Sequence, residues 1–163
     1  MVDSAPGIFV ALEGSGVAQA IRQSSWIYMA ANVGHIVSLM FFAGAVAVLD
    51  LRLAGAFAAT SPGYVLRRAR RVTILAFLGL VATGSALFTA EASHVIMNPV
   101  FELKLALIAL GLLNVTLFEF FIAPQLKDLP PLAPLPPAAR RAGVISIGLW
   151  IAVAICGRSI AYF

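Results

Sequence analysis

The feature that most constrains this chain is a run of 24 residues, Trp26 to Leu49, that contains no charged side chain. A stretch of that length is long enough to cross the hydrocarbon core of a bilayer as a helix. Three further apolar runs have similar lengths, at residues 72–90, 100–123 and 142–163. Nothing in the chain alternates like the strands of a membrane barrel. The sequence therefore predicts an all-α, polytopic membrane protein, an up-down bundle of four transmembrane helices.

Composition supports lipid as the main solvent and limits the kinds of partner. The chain has 163 residues, of which 61% are apolar and 11% are charged, whereas soluble domains carry about 25% charge. We expect a single membrane domain over residues 1–163, in contact with the lipid bilayer. The net charge of +4 does not indicate nucleic acid, because the basic residues lie between the apolar runs. The single cysteine, Cys156, excludes an internal disulfide.

The basic residues are divided unevenly between the connections. Residues 50–71 and 124–141 together hold eight of the eleven. By the positive-inside rule both connections are cytoplasmic, so both termini are predicted to be periplasmic, in a bacterial inner membrane. Before the first run, residues 8–22 place apolar side chains on one helical face. This pattern predicts an amphipathic helix over about residues 6–22 that lies in the outer interface.

Polar side chains within the first run fall on one face of the predicted helix. Tyr28, Asn32 and His35 lie at helical spacing, and Ser25 and Phe42 extend the same stripe. Asn and His are unfavourable against lipid tails, so the stripe is expected to face other helices. His35 most needs an explanation, because an ionisable side chain inside a span is costly and is a functional-site hypothesis by default.

His35 is predicted to share its depth with two cations. Counting from the cytoplasmic ends at 1.5 Å per residue places His35 about 22 Å, Arg158 about 24 Å and Lys104 about 28 Å above that surface. Two cations and an imidazole in one layer suit an anionic ligand, such as the propionates of haem. Ion pairs with Glu91 and Glu102, or snorkelling to the interface, are the structural alternatives.

The inner layer is predicted to be structural. Asp50 and Arg52 end the first run, and Glu119 lies near the inner end of the third, within reach of loop arginines. Polar groups at that depth usually pair with one another. The sequence has no glycine-rich phosphate loop, no GxSxG motif and no paired carboxylates at one depth. Hydrolytic and nucleotide chemistry are therefore not indicated, and an enzyme is the less favoured reading.

Three interpretations of His35 stay open: an axial ligand of haem b, a copper ligand, or a hydrogen bond across the bundle. Haem iron in a bundle is often held by histidines on facing helices, and His94 is the only other histidine. Its predicted height is about 11 Å above His35. This separation disfavours a pair within one chain, unless the second span tilts or the chain folds back at Asn98-Pro99.

Copper is favoured less than haem, because copper prefers soft ligands together with histidine. Met29 and Met40 project about 240° and 140° around the helix from His35. His94 and Met97 are close enough in sequence to bind a metal loosely. A dimer would bring two copies of His35 together, and a larger membrane complex would supply partner helices.

Several distinctive short strings occur along the first two thirds of the chain, over about residues 8–120. They are Leu12-Glu13, Ile21-Arg22, Ser25-Trp26-Ile27-Tyr28, Gly34-His35, Gly44, Asp50-Leu51-Arg52-Leu53-Ala54-Gly55, Thr83-Gly84, Asn98-Pro99-Val100-Phe101, Lys104 and Asn114. Together they resemble a family of bacterial four-helix integral membrane proteins with a His…Gly…Asp-Leu-Arg signature, which implies this topology and carries no function over. The surroundings of His35 are also similar to copper-resistance D-type proteins and membrane protoporphyrinogen oxidases, some of which bind haem.

These observations favour a small cytochrome-like protein that binds haem b or serves as an electron-transfer subunit. His35 would be an axial ligand and His94 a second ligand, with Asn32 beside the site. Arg158 and Lys104 would steer the propionates. The alternative is a cofactor-free accessory or anchoring subunit of a larger membrane complex, in which the polar stripe makes helix–helix hydrogen bonds.

Overall fold

The computed structural model describes residues 5–163, and its order of helices is as follows. Two short helices, α1 (Gly7–Glu13) and α2 (Gly16–Gln23), precede the first long helix, α3 (Ser25–Ala54). The second long helix, α4 (Pro62–Ala90), is followed by the short α5 (Ala92–Ile96). The last two are α6 (Pro99–Leu126), with a π-helical turn at Phe118–Ile122, and α7 (Pro137–Ser159), which ends in a 3-10 turn, Ile160–Tyr162.

The four long helices confirm the predicted all-α fold with four candidate spans. Each is long and apolar enough to cross a membrane. They exceed the apolar runs because hydropathy detects only the part inside the hydrocarbon, whereas a helix continues into the interface. The largest difference is at α4, which begins at Pro62, ten residues before the predicted span. Its first three turns therefore carry the arginine cluster that the sequence placed in a loop.

Local sequence explains where the long helices begin and end. Ser24 caps α3 by accepting a hydrogen bond from the backbone N–H of Ile27, and Gly55 ends that helix in the left-handed conformation, at φ 112°. Asn98 caps α6 by accepting from the N–H groups of Val100 and Phe101. A proline stands in the first turn of each of the other long helices, where its missing N–H costs nothing.

The helices pack in the order α4, α3, α7, α6, each antiparallel to its neighbour in the chain. Glycines set the close approaches: a Cβ at Gly79 would lie 2.5 Å from Ser38 Oγ, and one at Gly143 would lie 2.9 Å from the Asp50 carbonyl oxygen. By contrast, α4 and α6 make close backbone contact only where the last turn of α6 meets the start of α4. A gap therefore runs between α4 and α6 along the middle of the bundle.

The N-terminal segment differs from the single helix predicted over about residues 6–22. It forms two helices, because the chain turns at Gly14 and the Ser15 hydroxyl accepts from the Ala18 N–H to start α2 afresh. Arg22 ties both to the bundle by donating to the Ala90 carbonyl oxygen at 2.6 Å and the Glu13 carbonyl oxygen at 2.9 Å.

Glu13 fastens α1 to α5. Its carboxylate accepts hydrogen bonds from the hydroxyl and the backbone N–H of Ser93. These two bonds, the hydroxyl first, lower the pKa of Glu13 below its usual value, with a smaller contribution from the Arg22 charge. The carboxylate consequently stays ionised at neutral pH, and the two short helices cover the end of the bundle where α4 ends and α6 begins.

Candidate functional site

His35 lies where α3 packs against α4, and glycine makes room for its ring. A Cβ at Gly84 would lie 3.2 Å from His35 Cε1. The Thr83 hydroxyl donates to the Gly79 carbonyl oxygen at 2.6 Å, so its proton is already engaged. His35 Nδ1 lies 2.9 Å from that hydroxyl oxygen, and while the Thr83 proton is directed to Gly79 the imidazole is the donor in this contact.

This chain of hydrogen bonds favours the tautomer of His35 that carries its proton on Nδ1. With the proton on Nδ1, the Nε2 atom keeps its lone pair and acts as an acceptor or ligand. Within residues 5–163, Nε2 makes no hydrogen bond. The imidazole is thus oriented by Thr83 and has one nitrogen left for a ligand.

The other residues of the polar stripe differ in their contacts. Asn32 donates from Nδ2 to the Tyr28 carbonyl oxygen, one turn earlier in α3. Tyr28 in turn donates its hydroxyl proton to Glu91 at the end of α4. Phe42 is buried against its neighbours, as the prediction that this face meets other helices requires. Asn32 therefore stands one turn from His35 without a hydrogen bond to it.

Lys104 and Arg158 have different surroundings. Lys104, on α6, is partly buried, and its Nζ lies 3.6 Å from where a Gly157 Cβ would be, next to the buried Cys156. It forms no ion pair with any described carboxylate. Arg158 is exposed: its guanidinium lies over the Tyr162 ring at 4.9 Å and donates to the Tyr162 hydroxyl. The structure thus directs Lys104 toward α7 and Arg158 toward the surface.

His94 stands apart from His35. It is exposed on α5 and lines an open cavity of about 550 Å³ at the end of the bundle, together with Met97 and Phe163. Thr83, the partner of His35, lies seven residues inside the end of α4, or about 10 Å. No group of three His, Cys, Asp or Glu side chains suitable for a metal ion occurs in the described part of the chain. The two histidines are not brought together.

A layer of aromatic rings fills the centre of the bundle, two helical turns below His35. The Trp150 ring lies 4.7 Å from Phe42 and 6.3 Å from Phe77, measured between ring centroids. A Cβ at Gly111 would lie 3.0 Å from the Trp150 indole, so the indole packs directly on the α6 backbone. This layer, which joins all four long helices, separates the His35 region from the end of the bundle that carries most of the basic residues.

A second candidate site lies below the aromatic layer, as a cavity of about 370 Å³ between the four long helices. Most of its wall is apolar, and six polar side chains line the remainder: Asp50, Arg70, Thr73, Asn114, Glu119 and Ser146. Asp50 is only 6% exposed, and its Oδ2 has no hydrogen-bond partner within residues 5–163. A buried polar atom without a partner is rare and calls for an explanation.

An ion pair joins α4 and α6 beside this cavity. Arg70 donates from Nη2 to both carboxylate oxygens of Glu119, at 2.8 and 2.6 Å. This contact confirms that Glu119 pairs with an arginine, although Arg70 belongs to α4 and not to a loop. The cavity was not predicted from the sequence, although one signal was present: Asp50 lies only about 60° around the helix from His35.

Comparison with models of protein families, with curated proteins and with solved structures found no match to this chain. The two candidate sites therefore have to be interpreted from the chemistry of their own side chains. One presents an oriented imidazole in the half of the bundle that holds both chain termini. The other presents an unpartnered carboxylate in an apolar cavity near the basic end.

Proposed function

We propose that this chain is a small haem-b-binding membrane protein, a cytochrome-like electron-transfer subunit, with His35 as an axial ligand. The observation that carries the proposal is the His35–Thr83–Gly79 chain of hydrogen bonds. Histidines that bind metals almost always donate their other ring N–H to a neighbouring acceptor, which fixes the tautomer and the ring orientation. His35 has that arrangement inside a membrane helix, where an ionisable side chain needs a function.

The residues around His35 suit haem b in part. Lys104 is a partly buried cation without a carboxylate partner among the described residues, and it suits a haem propionate. Arg158 would have to leave the Tyr162 ring to join it. His94 is too far along the bundle for the same iron, so we propose His35 as the one axial ligand from this chain. When bound, haem b supplies one-electron transfer at its iron.

We further propose that the membrane is a bacterial inner membrane and that both termini are periplasmic. Eight of the eleven basic residues lie at the end of the bundle that holds the α3–α4 and α6–α7 connections. The positive-inside rule assigns that end to the cytoplasm. An alkaline-phosphatase fusion at the C-terminus, which is active only outside the cytoplasm, should therefore be active, and an inactive but expressed fusion would reverse the assignment.

The test of the haem proposal is an absorption spectrum of the purified protein, oxidised and dithionite-reduced, after expression with ample haem. The wild type should show a Soret band and reduced α and β bands. His35→Ala should lose them, whereas His94→Ala, an exposed imidazole of the same chain, should keep them. Thr83→Val removes the acceptor of the Nδ1 proton at nearly constant volume, and should weaken haem affinity by about 10–100-fold.

A folded wild-type protein that stays colourless would contradict the proposal and favour a second candidate, a cofactor-free accessory or anchoring subunit of a larger membrane complex. The aromatic layer is the observation that favours this candidate. Phe42, Phe77 and Trp150 fill the bundle centre with side chains, as a purely structural helix bundle requires. In that case the Thr83 contact would serve only to hold α3 against α4.

A further inference from the structure

The inner cavity opens toward the lipid between α4 and α6. These two helices are not in close backbone contact along the middle of the bundle. Ile74 on α4 and Val115 on α6 line the cavity, and both are exposed on the outside of the bundle, at 52% and 44%. They therefore flank the mouth, which lies in the half of the bundle that carries the basic loops. A molecule dissolved in the bilayer would reach the cavity without crossing water.

Four of the six polar side chains of the cavity have hydrogen-bond partners, and Ser146 lies beside the Asp50 carboxyl group. Asn114 donates to the Ala142 carbonyl oxygen, and Thr73 donates to the Ala69 carbonyl oxygen. Arg70 and Glu119 bind each other through both carboxylate oxygens. Asp50 Oδ2 is left without a donor, on a side chain that is 94% buried. Leaving such a group unpaired in apolar surroundings costs about 1–3 kcal/mol, and more when it is charged.

The charged side chains that line the cavity determine whether it favours a cationic or an anionic ligand. Arg70 and Glu119 cancel, which leaves Asp50 as the one acidic side chain of the lining that has no cationic partner among the described residues. Arg52 is also buried nearby in α3, but its Nε and Nη2 atoms donate to the Thr60 carbonyl oxygen in the following connection, away from the cavity. In a low-dielectric site an uncompensated carboxylate attracts a cation strongly.

We infer that this cavity binds a lipophilic amine, a molecule with an apolar body and one protonated nitrogen, which enters from the bilayer between α4 and α6. The nitrogen donates a hydrogen bond to the Asp50 carboxylate and pairs with its charge. The body lies against the apolar wall, formed by residues such as Leu49, Leu53 and Phe118. A volume of about 370 Å³ equals that of about a dozen water molecules at about 30 Å³ each, which is enough for a small amine. The aromatic layer separates this site from His35, so the inference does not depend on haem.

The test is equilibrium binding to the full chain in lipid nanodiscs, with empty nanodiscs subtracted to remove partitioning into lipid. The probe is 4-phenylbutylamine, and its neutral counterpart is 4-phenylbutan-1-ol, which keeps the apolar body and one hydrogen-bond donor. The wild type should bind the amine saturably and the alcohol at least about tenfold more weakly. Asp50→Asn, which keeps the shape of the side chain and removes its charge, should lose at least about tenfold in amine affinity.

Asp50 lies where α3 crosses α7, so Asp50→Asn also changes a helix contact. A second variant therefore tests the site without altering Asp50. Ile74→Trp fills the mouth and leaves Asp50 untouched, and it should also abolish amine binding. Ile151→Trp, on an exposed part of α7 that does not line the cavity, is the matched control and should bind normally. Equal affinities for the amine and the alcohol would overturn the inference, as would full amine binding by Ile74→Trp or by a folded Asp50→Asn.

Discussion

Replacing Trp150 with alanine should lower the free energy of unfolding by about 3 kcal/mol, the low end of the range for removing a large aromatic side chain from a core. The indole contacts Phe42 and Phe77 and packs on Gly111. Its loss leaves a void at the one level where all four long helices meet. The low end applies because lipid is as apolar as the core, so the lost stability comes from packing and not from transfer out of water.

The measurement is the temperature at which half of the detergent-solubilised protein remains monodisperse after heating. A loss of about 3 kcal/mol corresponds to a decrease of about 6–12 °C for a chain of this size. Trp26→Ala is the matched control, because Trp26 is the only other tryptophan and is 78% exposed. Equal decreases for the two variants would show that the aromatic layer does not hold the bundle together.

Long apolar runs were sufficient to predict the four helices, since a bilayer allows few other structures for such segments. Their ends were less predictable, because the residues that extend them are polar. In α4, Arg67 and Arg68 belong to the helix, although their low hydropathy excludes them from a predicted span. The break between α1 and α2 depended on Gly14 and on the Ser15 cap, a local signal within an otherwise consistent amphipathic pattern.

The candidate sites were predictable only as far as one helix determines them. The spacing of Asn32, His35 and Phe42 indicated which face of α3 meets other helices. The Thr83 partner was not predictable, because it depends on the register of α3 against α4, which glycines such as Gly79 and Gly84 set through close packing. Nor does any sequence pattern show that α4 and α6 stay apart. The separation of α4 and α6 follows from the order in which the helices pack. Because of it, Asp50 lines a cavity, although the sequence placed it only at the end of a predicted span.

The close crossing of α3 and α7 near the basic end of the bundle depends on Gly143. A Cβ there would lie 2.8 Å from Leu53 Cβ and 2.9 Å from the Asp50 carbonyl oxygen. The second of these neighbours is backbone, so it cannot move unless α3 shifts as a whole. Gly143→Leu should therefore push α3 and α7 apart and lower the free energy of unfolding by about 3 kcal/mol or more, at the upper end of the cost of overpacking.

Gly148, one and a half turns further along α7, provides the matched control. A Cβ there meets nothing within 4 Å, and leucine is at least as good a helix former as glycine. Gly148→Leu should thus leave the heating midpoint unchanged or raise it slightly, while Gly143→Leu lowers it by about 6–12 °C. Because the Asp50 carbonyl oxygen is one of the atoms displaced, Gly143→Leu should also weaken amine binding in nanodiscs. Tolerance of leucine at both glycines would mean that α3 and α7 are not held at this distance, and the wall that carries Asp50 would not be rigid.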